Sequence, residues 1–117
     1  PLCATVHLSG STITLTTCAI AVMMLNGMPV TLSQMAGFIF MLGVTMVAAP
    51  GVPGGAVMAA LGILQSMLGF NDAQQALMIA LYLAQDSFGT ACNVSGDNAI
   101  AIIVDKISGS DRNLQKA

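Results

Sequence analysis

The sequence contains a polar stretch inside an apolar run, Asp86-Ser-Phe-Gly-Thr90-Ala-Cys-Asn93-Val-Ser-Gly-Asp97. An α-helix turns about 100° per residue, so Thr90, Asn93 and Asp97 fall within about 40° of Asp86 around the helix axis. One helix face therefore carries two carboxylates, a hydroxyl and an amide in a line about 16 Å long, roughly half the hydrocarbon thickness of a bilayer. This pattern predicts a row of ligands at membrane depth.

The composition favours a membrane environment. Of the 117 residues, 56% are hydrophobic and only 7% are charged, whereas an ordinary soluble domain has about 25% charged residues. No Asp, Glu, Lys or Arg occurs before Asp72, so everything before that residue can lie in lipid without burying a charge. With a net charge of −2 and 4% aromatic residues, the chain lacks the basic stripe and the stacking rings of a nucleic-acid binder. We therefore exclude nucleic acid as a partner.

The first 27 residues predict a broken transmembrane helix. They are apolar and rich in threonine, but the run is interrupted at His7-Leu-Ser-Gly10. We expect a helix that breaks at residues 6–10 and resumes at Ser11, because a break at membrane depth is tolerated where the freed carbonyls face protein, water or an ion. An ordinary loop followed by a helix that begins at Ser11 explains the same residues equally well.

Residues 31–69 predict a re-entrant helical hairpin. Thr31 can cap a helix over residues 32–47. A second helix over residues 54–68 follows the run Ala48-Ala-Pro-Gly-Val-Pro-Gly-Gly55, through which no helix can continue. Each arm is shorter than the roughly 20 residues that span a bilayer, and the tip carries no charge. The alternative is a pair of ordinary helices joined at the surface.

The last helix is predicted over residues 73–107, as a final transmembrane helix with the polar stretch in its second half. Residues 108–117 are expected to form a polar tail. Lys106, Arg112 and Lys116 lie beyond the last apolar run, so the positive-inside rule favours a cytoplasmic C-terminus. The predicted fold is an all-α membrane protein of broken helix, re-entrant hairpin and polar-striped helix, and we expect the chain to be a fragment of a larger protein.

Two motifs resemble the dicarboxylate/amino acid:cation symporters, the glutamate transporter family. The hairpin tip Pro50-Gly-Val-Pro-Gly-Gly55 resembles the gate of that family, and Asp86-x3-Thr90-x2-Asn93-Val-Ser-Gly-Asp97 resembles its last helix. The resemblance covers essentially the whole chain and implies the C-terminal part of a transport domain, with transport rather than enzymatic catalysis as its function. It further implies a multi-pass protein of the plasma membrane or inner membrane, in contact with lipid and assembled as a homotrimer through a scaffold domain.

The resemblance also implies a site for an amino-acid substrate. Asp86 would bind the ammonium group of the substrate, and Thr90 and Asn93 would bind its carboxylate or backbone groups. The hairpin tip would close over the substrate as a lid. The implied substrate-binding residues are Ser11, Gly51, Val52, Asp86, Gly89, Thr90 and Asn93.

A Na⁺ site follows from the same resemblance. Asn93 and Asp97 would be ligands, and main-chain carbonyls near Cys3 and His7 would add further oxygen atoms; together with Ser9 these are the implied metal-site residues. Oxygen ligands suit a hard cation, and a carboxylate in lipid needs a counter-charge.

Two departures from the family's pattern bear on substrate and coupling ion. The broken-helix motif Asn-Met-Asp-Gly is His7-Leu-Ser9-Gly10 here, and because histidine titrates near physiological pH, a proton is the alternative to Na⁺. The arginine that pairs with an acidic substrate side chain is Gly89 here, so we expect a neutral amino acid. The alternatives are proton-coupled or dicarboxylate symport and, from another class, a non-transporting helical membrane module whose polar stripe seals helix contacts.

Overall fold

The computed structural model describes the backbone of residues 6–115 and the side chains of residues 6–109. Four helices follow one another in the chain: α1 (Ser9–Leu25), α2 (Leu32–Met46), α3 (Gly55–Leu68) and α4 (Asp72–Gln115). The described part contains no β-strand, so the prediction of an all-α fold is confirmed. Within these residues, no helix combines the length and the apolar character that crossing a membrane requires.

Helix α1 begins at Ser9, two residues before the expected start at Ser11. Its N-cap residue, Leu8, offers no capping side chain. Within the helix, the Thr12 hydroxyl donates to the Leu8 carbonyl and the Thr16 hydroxyl to the Thr12 carbonyl, each at 2.8 Å. These bonds satisfy the hydroxyl groups within the helix itself. The helical segment expected before the break, residues 1–5, lies outside the described residues.

Helices α2 and α3 form the predicted hairpin, with bounds within one residue of the expected ones. Nε2 of Gln34, near the start of α2, donates to the carbonyl oxygen of Met67, near the end of α3, at 3.0 Å, so the two helices run antiparallel. They have 15 and 14 residues and are each only about 21–23 Å long. That the tip of this hairpin stops inside a membrane stays a prediction.

The hairpin tip is a tight turn that packs on α4. The Val52 amide donates to the Pro50 carbonyl at 2.9 Å, and the Gly55 amide donates to the Val52 carbonyl at 2.8 Å. Gly54 has a φ of +74°, which a residue with a Cβ atom rarely adopts, and a Cβ atom at Gly54 would lie 2.9 Å from Cδ2 of Leu83. Gly54 therefore lets the chain turn and lets the tip approach α4 closely.

Helix α4 is longer than predicted at both ends. Asn71 caps it: the Asn71 side-chain oxygen accepts from the Gln74 amide, and the Gln74 side-chain oxygen accepts from the Asn71 amide, each at 2.9 Å. This reciprocal pair satisfies two N–H groups that the first helical turn leaves open. The helix then runs without a break to Gln115, so the predicted tail is helical up to that residue. No proline interrupts it, and its three glycines, Gly89, Gly96 and Gly109, are tolerated at a cost of about 1 kcal/mol each relative to alanine.

The core forms where the apolar faces of all four helices meet. On α1 the buried positions repeat at helical spacing, and the same spacing recurs on α2 and α3. On α4, Met78 and Tyr82 join them, whereas residues 101–108 are exposed. The buried hydrophobic side chains of α1–α3 are Leu15, Cys18, Ala19, Val22, Met23, Met35, Phe38, Leu42, Met46, Ala56, Val57, Ala60, Leu64 and Leu68.

Helices α1 and α4 approach most closely at two glycines. A Cβ atom at Gly10 would overlap the Gly89 carbonyl oxygen and lie 2.6 Å from Cβ of Cys92. A Cβ atom at Gly89 would lie 3.5 Å from the Gly10 carbonyl carbon, which is ordinary van der Waals contact. The crossing therefore depends on Gly10 having no side chain.

We expect Gly10→Ala to destabilise the protein by about 1–3 kcal/mol, because the added methyl group must push α1 away from α4. The measurement is thermal unfolding of the purified protein in detergent. The control is Gly62→Ala in α3, where a Cβ atom meets nothing within 4 Å and the substitution should stabilise the helix by up to about 1 kcal/mol. Equal melting temperatures for the two variants would contradict the close crossing.

Candidate functional site

The first amide groups of α1 are satisfied by a side chain of α4. Oδ1 of Asn93 accepts from the Gly10 amide at 2.9 Å and from the Ser11 amide at 3.4 Å. Nδ2 of Asn93 donates to the Ser11 hydroxyl oxygen at 2.8 Å. The first turn of a helix leaves such N–H groups without internal partners, so Asn93 caps α1 from another helix. Both side chains are buried.

A second side chain of α4, the carboxylate of Asp86, caps the start of α3 in the hairpin. Oδ2 of Asp86 accepts from the Gly54 amide at 3.0 Å, and Gly54 is the N-cap residue of α3. A carboxylate at a helix N-terminus is favourable because the N-terminal amide groups carry partial positive charge. This hydrogen bond joins the hairpin tip to the polar face of α4.

A cavity of about 470 Å³ lies between the hairpin tip, the start of α1 and α4. Its polar lining consists of one hydroxyl group from α1 and the polar face of α4, and no lysine, arginine or histidine of the described residues lines it. The lining residues are Leu8, Ser11, Ala49, Pro50, Gly51, Val52, Pro53, Ala56, Tyr82, Asp86, Thr90, Asn93, Val94 and Asp97. This volume falls in the range of small-molecule sites, about 300–1,000 Å³.

Of the residues expected to bind substrate, all but one line this cavity. The exception is Gly89, which is buried against α1. The resemblance had placed Gly89 among the substrate-binding residues, at the position of the family's arginine. Gly89 does not line the cavity because its side of α4 packs against Gly10 and Ser11 of α1.

Of the residues expected at the cation site, Asn93 and Asp97 line this cavity, whereas His7 and Ser9 do not. Cys3 lies outside the described residues. Nδ1 of His7 lies 3.4 Å from Oδ1 of Asp97, and neither atom has a hydrogen-bond partner among the described residues. The Ser9 hydroxyl oxygen lies 3.4 Å from Nε2 of His7. The His7 ring rests on Gly96, where a Cβ atom would overlap it.

The resemblance placed Asp97 and the main chain near His7 at one cation site, and the structure also sets the His7 imidazole beside the Asp97 carboxylate. In the described part of the chain, no three His, Cys, Asp or Glu side chains lie close enough together to hold a metal ion. Any cation here would therefore depend on amide, hydroxyl and main-chain oxygen atoms besides the carboxylate.

The sequence analysis missed several residues of the cavity, of which Tyr82 is the most informative. Tyr82 lies four residues before Asp86 and is 1% exposed. Four residues are one helical turn, so extending the polar stripe by one turn would have found it. Nothing local in the sequence indicates that the Gly54 amide faces Asp86, because that contact joins two segments 32 residues apart.

We expect Asn93→Ala to destabilise the protein by about 1–3 kcal/mol, because the buried amide groups of Gly10 and Ser11 lose their acceptor. Thermal unfolding in detergent measures the change. Asn98→Ala is the matched control, since Asn98 is an exposed asparagine on the same helix. If the two variants unfold at the same temperature, Asn93 does not cap α1.

The comparisons with known proteins support the resemblance to a symporter family. The model of the sodium:dicarboxylate symporter family matches residues 1–107. No curated protein sequence and no solved structure matches the chain significantly. Members of the matched family are membrane transporters that couple small substrates to a cation, and they are not enzymes. Because the match covers nearly all of the sequence, the chain belongs to the sodium:dicarboxylate symporter family.

Proposed function

We propose that this chain forms the C-terminal part of the transport domain of a symporter that carries a small neutral amino acid together with Na⁺. The observation that carries the proposal is the cavity between the hairpin tip and the polar face of α4. In it, Gly51 and Val52 would serve as the lid, and Thr90 and Asn93 would hold the carboxylate of the substrate. Asn93 keeps one N–H for this, since one Nδ2–H already binds Ser11.

The charges in the cavity support a neutral amino acid. Asp86 and Asp97 line it and no basic residue of the described chain does, so the ammonium group of an amino acid would find a partner in Asp86. A second carboxylate on the substrate would meet like charge, and an unpaired buried charge costs several kcal/mol. The family's name mentions dicarboxylates, but the lining of this cavity favours a substrate with an ammonium group and no acidic side chain.

Asp97 supports Na⁺ as the coupled ion. Its Oδ1 atom is buried and lacks a hydrogen-bond donor among the described residues, so it is available to a cation. Carboxylate, amide and main-chain oxygen atoms are the ligands that hard cations prefer. Asn93, Ser9 and the main chain around His7 would complete such a site. In support, Nδ1 of His7 lies 3.4 Å from Oδ1 of Asp97, and the Ser9 hydroxyl oxygen lies 3.4 Å from Nε2 of His7.

The surface of the chain supports a place in a membrane. Large apolar side chains are exposed on all four helices, with Leu25 74%, Leu32 87%, Met58 59% and Phe88 74% exposed. Lipid, or other parts of the transporter, would cover them at no cost in hydrophobic free energy. A homotrimer, a location in the plasma or inner membrane and a cytoplasmic C-terminus are part of the proposal and rest on the family and on the positive charges near the C-terminus.

We expect uptake of labelled serine by the complete transporter, reconstituted in lipid vesicles, to be inhibited by unlabelled alanine and threonine. Succinate and aspartate should not inhibit it, because their additional carboxylate finds no cationic partner in the cavity. Inhibition by succinate or aspartate without inhibition by alanine would overturn the neutral-substrate proposal. If no amino acid and no dicarboxylate is taken up, transport itself is refuted.

We expect Asp97→Asn to raise the Na⁺ concentration for half-maximal uptake at least about tenfold, a loss of about 1.4 kcal/mol in binding free energy. The control is Asp105→Asn, which removes an exposed carboxylate from the same helix and should leave the Na⁺ dependence unchanged. An unchanged Na⁺ dependence in Asp97→Asn would remove Asp97 from the cation site. Uptake that follows a proton gradient in the absence of Na⁺ would identify a proton as the coupled ion.

A further inference from the structure

Tyr82 occupies one end of the cavity and has no role in the function proposed so far. It is the only tyrosine of the chain and is almost fully buried, yet it lines the cavity. A buried phenol hydroxyl needs a hydrogen-bond partner. Here Asp86 of the same helix and Ser11 of α1 are its polar neighbours. The ring therefore belongs to the core, and its hydroxyl belongs to the polar face of the site.

The order of polar groups along α4 assigns a direction to a bound amino acid. Tyr82, Asp86 and Thr90 follow at intervals of one helical turn, about 6 Å each, and all three line the cavity. An amino acid would be held by its ammonium group at Asp86 and by its carboxylate near Thr90. In this orientation its side chain would extend toward Tyr82.

The remaining lining determines which side chain fits there. Apart from the polar face of α4 and Ser11, the cavity is bounded by glycine and apolar residues, including Pro53 and Ala56 of the hairpin. The Tyr82 hydroxyl can donate one hydrogen bond and accept others. A substrate hydroxyl group matches this requirement, since it can both donate and accept without adding charge.

We propose that Tyr82 is a specificity-determining residue that hydrogen-bonds a hydroxyl group on the side chain of the substrate, so that the site prefers a hydroxylated amino acid to one of the same size without the hydroxyl. This inference rests on the proposed transport of neutral amino acids. A substrate hydroxyl adds one neutral hydrogen bond at the phenol oxygen, which an analogue of the same size without a hydroxyl cannot make.

The test compares serine with alanine, which differ only in that hydroxyl group. In the complete transporter, Tyr82→Phe keeps the ring and removes the phenol oxygen. We expect the ratio of the apparent affinities for serine and alanine to fall about fivefold, the effect of one neutral hydrogen bond. Affinities are measured by inhibition of uptake and, on the purified protein, by the rise in melting temperature that each amino acid causes. The control is Ser87→Ala, which removes a hydroxyl group from the exposed side of α4 and should leave the ratio unchanged.

The outcomes separate this inference from the proposed function. If the unmodified transporter binds neither serine nor alanine, the neutral-substrate proposal fails. If it binds both and Tyr82→Phe weakens both equally, the phenol acts only on the common part of the amino acid or on the fold, and the specificity role of Tyr82 is refuted. A fall in the ratio with little change in the melting temperature of the free protein supports the role.

Discussion

The arrangement of the helices depends on the hydrogen bonds that the side-chain amide of Asn93 makes to α1. It accepts from the first amide groups of α1 and donates to the Ser11 hydroxyl. Helix α1 starts in a buried place without a capping side chain of its own, and buried amide groups without acceptors are costly. A partner 83 residues away supplies the acceptor. Because the backbones meet at Gly10, the amide reaches α1 at hydrogen-bonding distance, and this fixes one wall of the cavity.

Asp86 caps a helix of the hairpin in the same way as Asn93 caps α1. Its carboxylate accepts from the Gly54 amide at the start of α3, where the N-terminal amide groups favour negative charge. The polar face of α4 thus caps two helices and also lines the cavity between them. In the function proposed here, the ammonium group of the substrate would share this carboxylate with the hairpin tip. Binding of the substrate and the position of the lid would then depend on one side chain.

The balance of charge gives the cavity its chemical character. Two carboxylates line it and no basic side chain of the described residues does, which leaves negative charge in need of cations. An ammonium group at Asp86 and a cation at Asp97 would supply both. Nδ1 of the His7 imidazole stands 3.4 Å from Oδ1 of Asp97. The chemistry at Asp97 therefore depends on both side chains.

The sequence by itself determined the helices, the hairpin and the polar stripe, because helical periodicity, proline–glycine turns and capping are local properties. It also identified the polar side chains of α4 that line the cavity, apart from Tyr82, since they share one face of that helix. Only the tertiary structure decided which groups meet across the bundle: Asn93 with the start of α1, Asp86 with Gly54, and His7 with Asp97. It also turned Gly89 toward α1 instead of the cavity. The angle at which one helix presents its faces to another is set by the packing of their side chains, and that packing cannot be read from either helix alone.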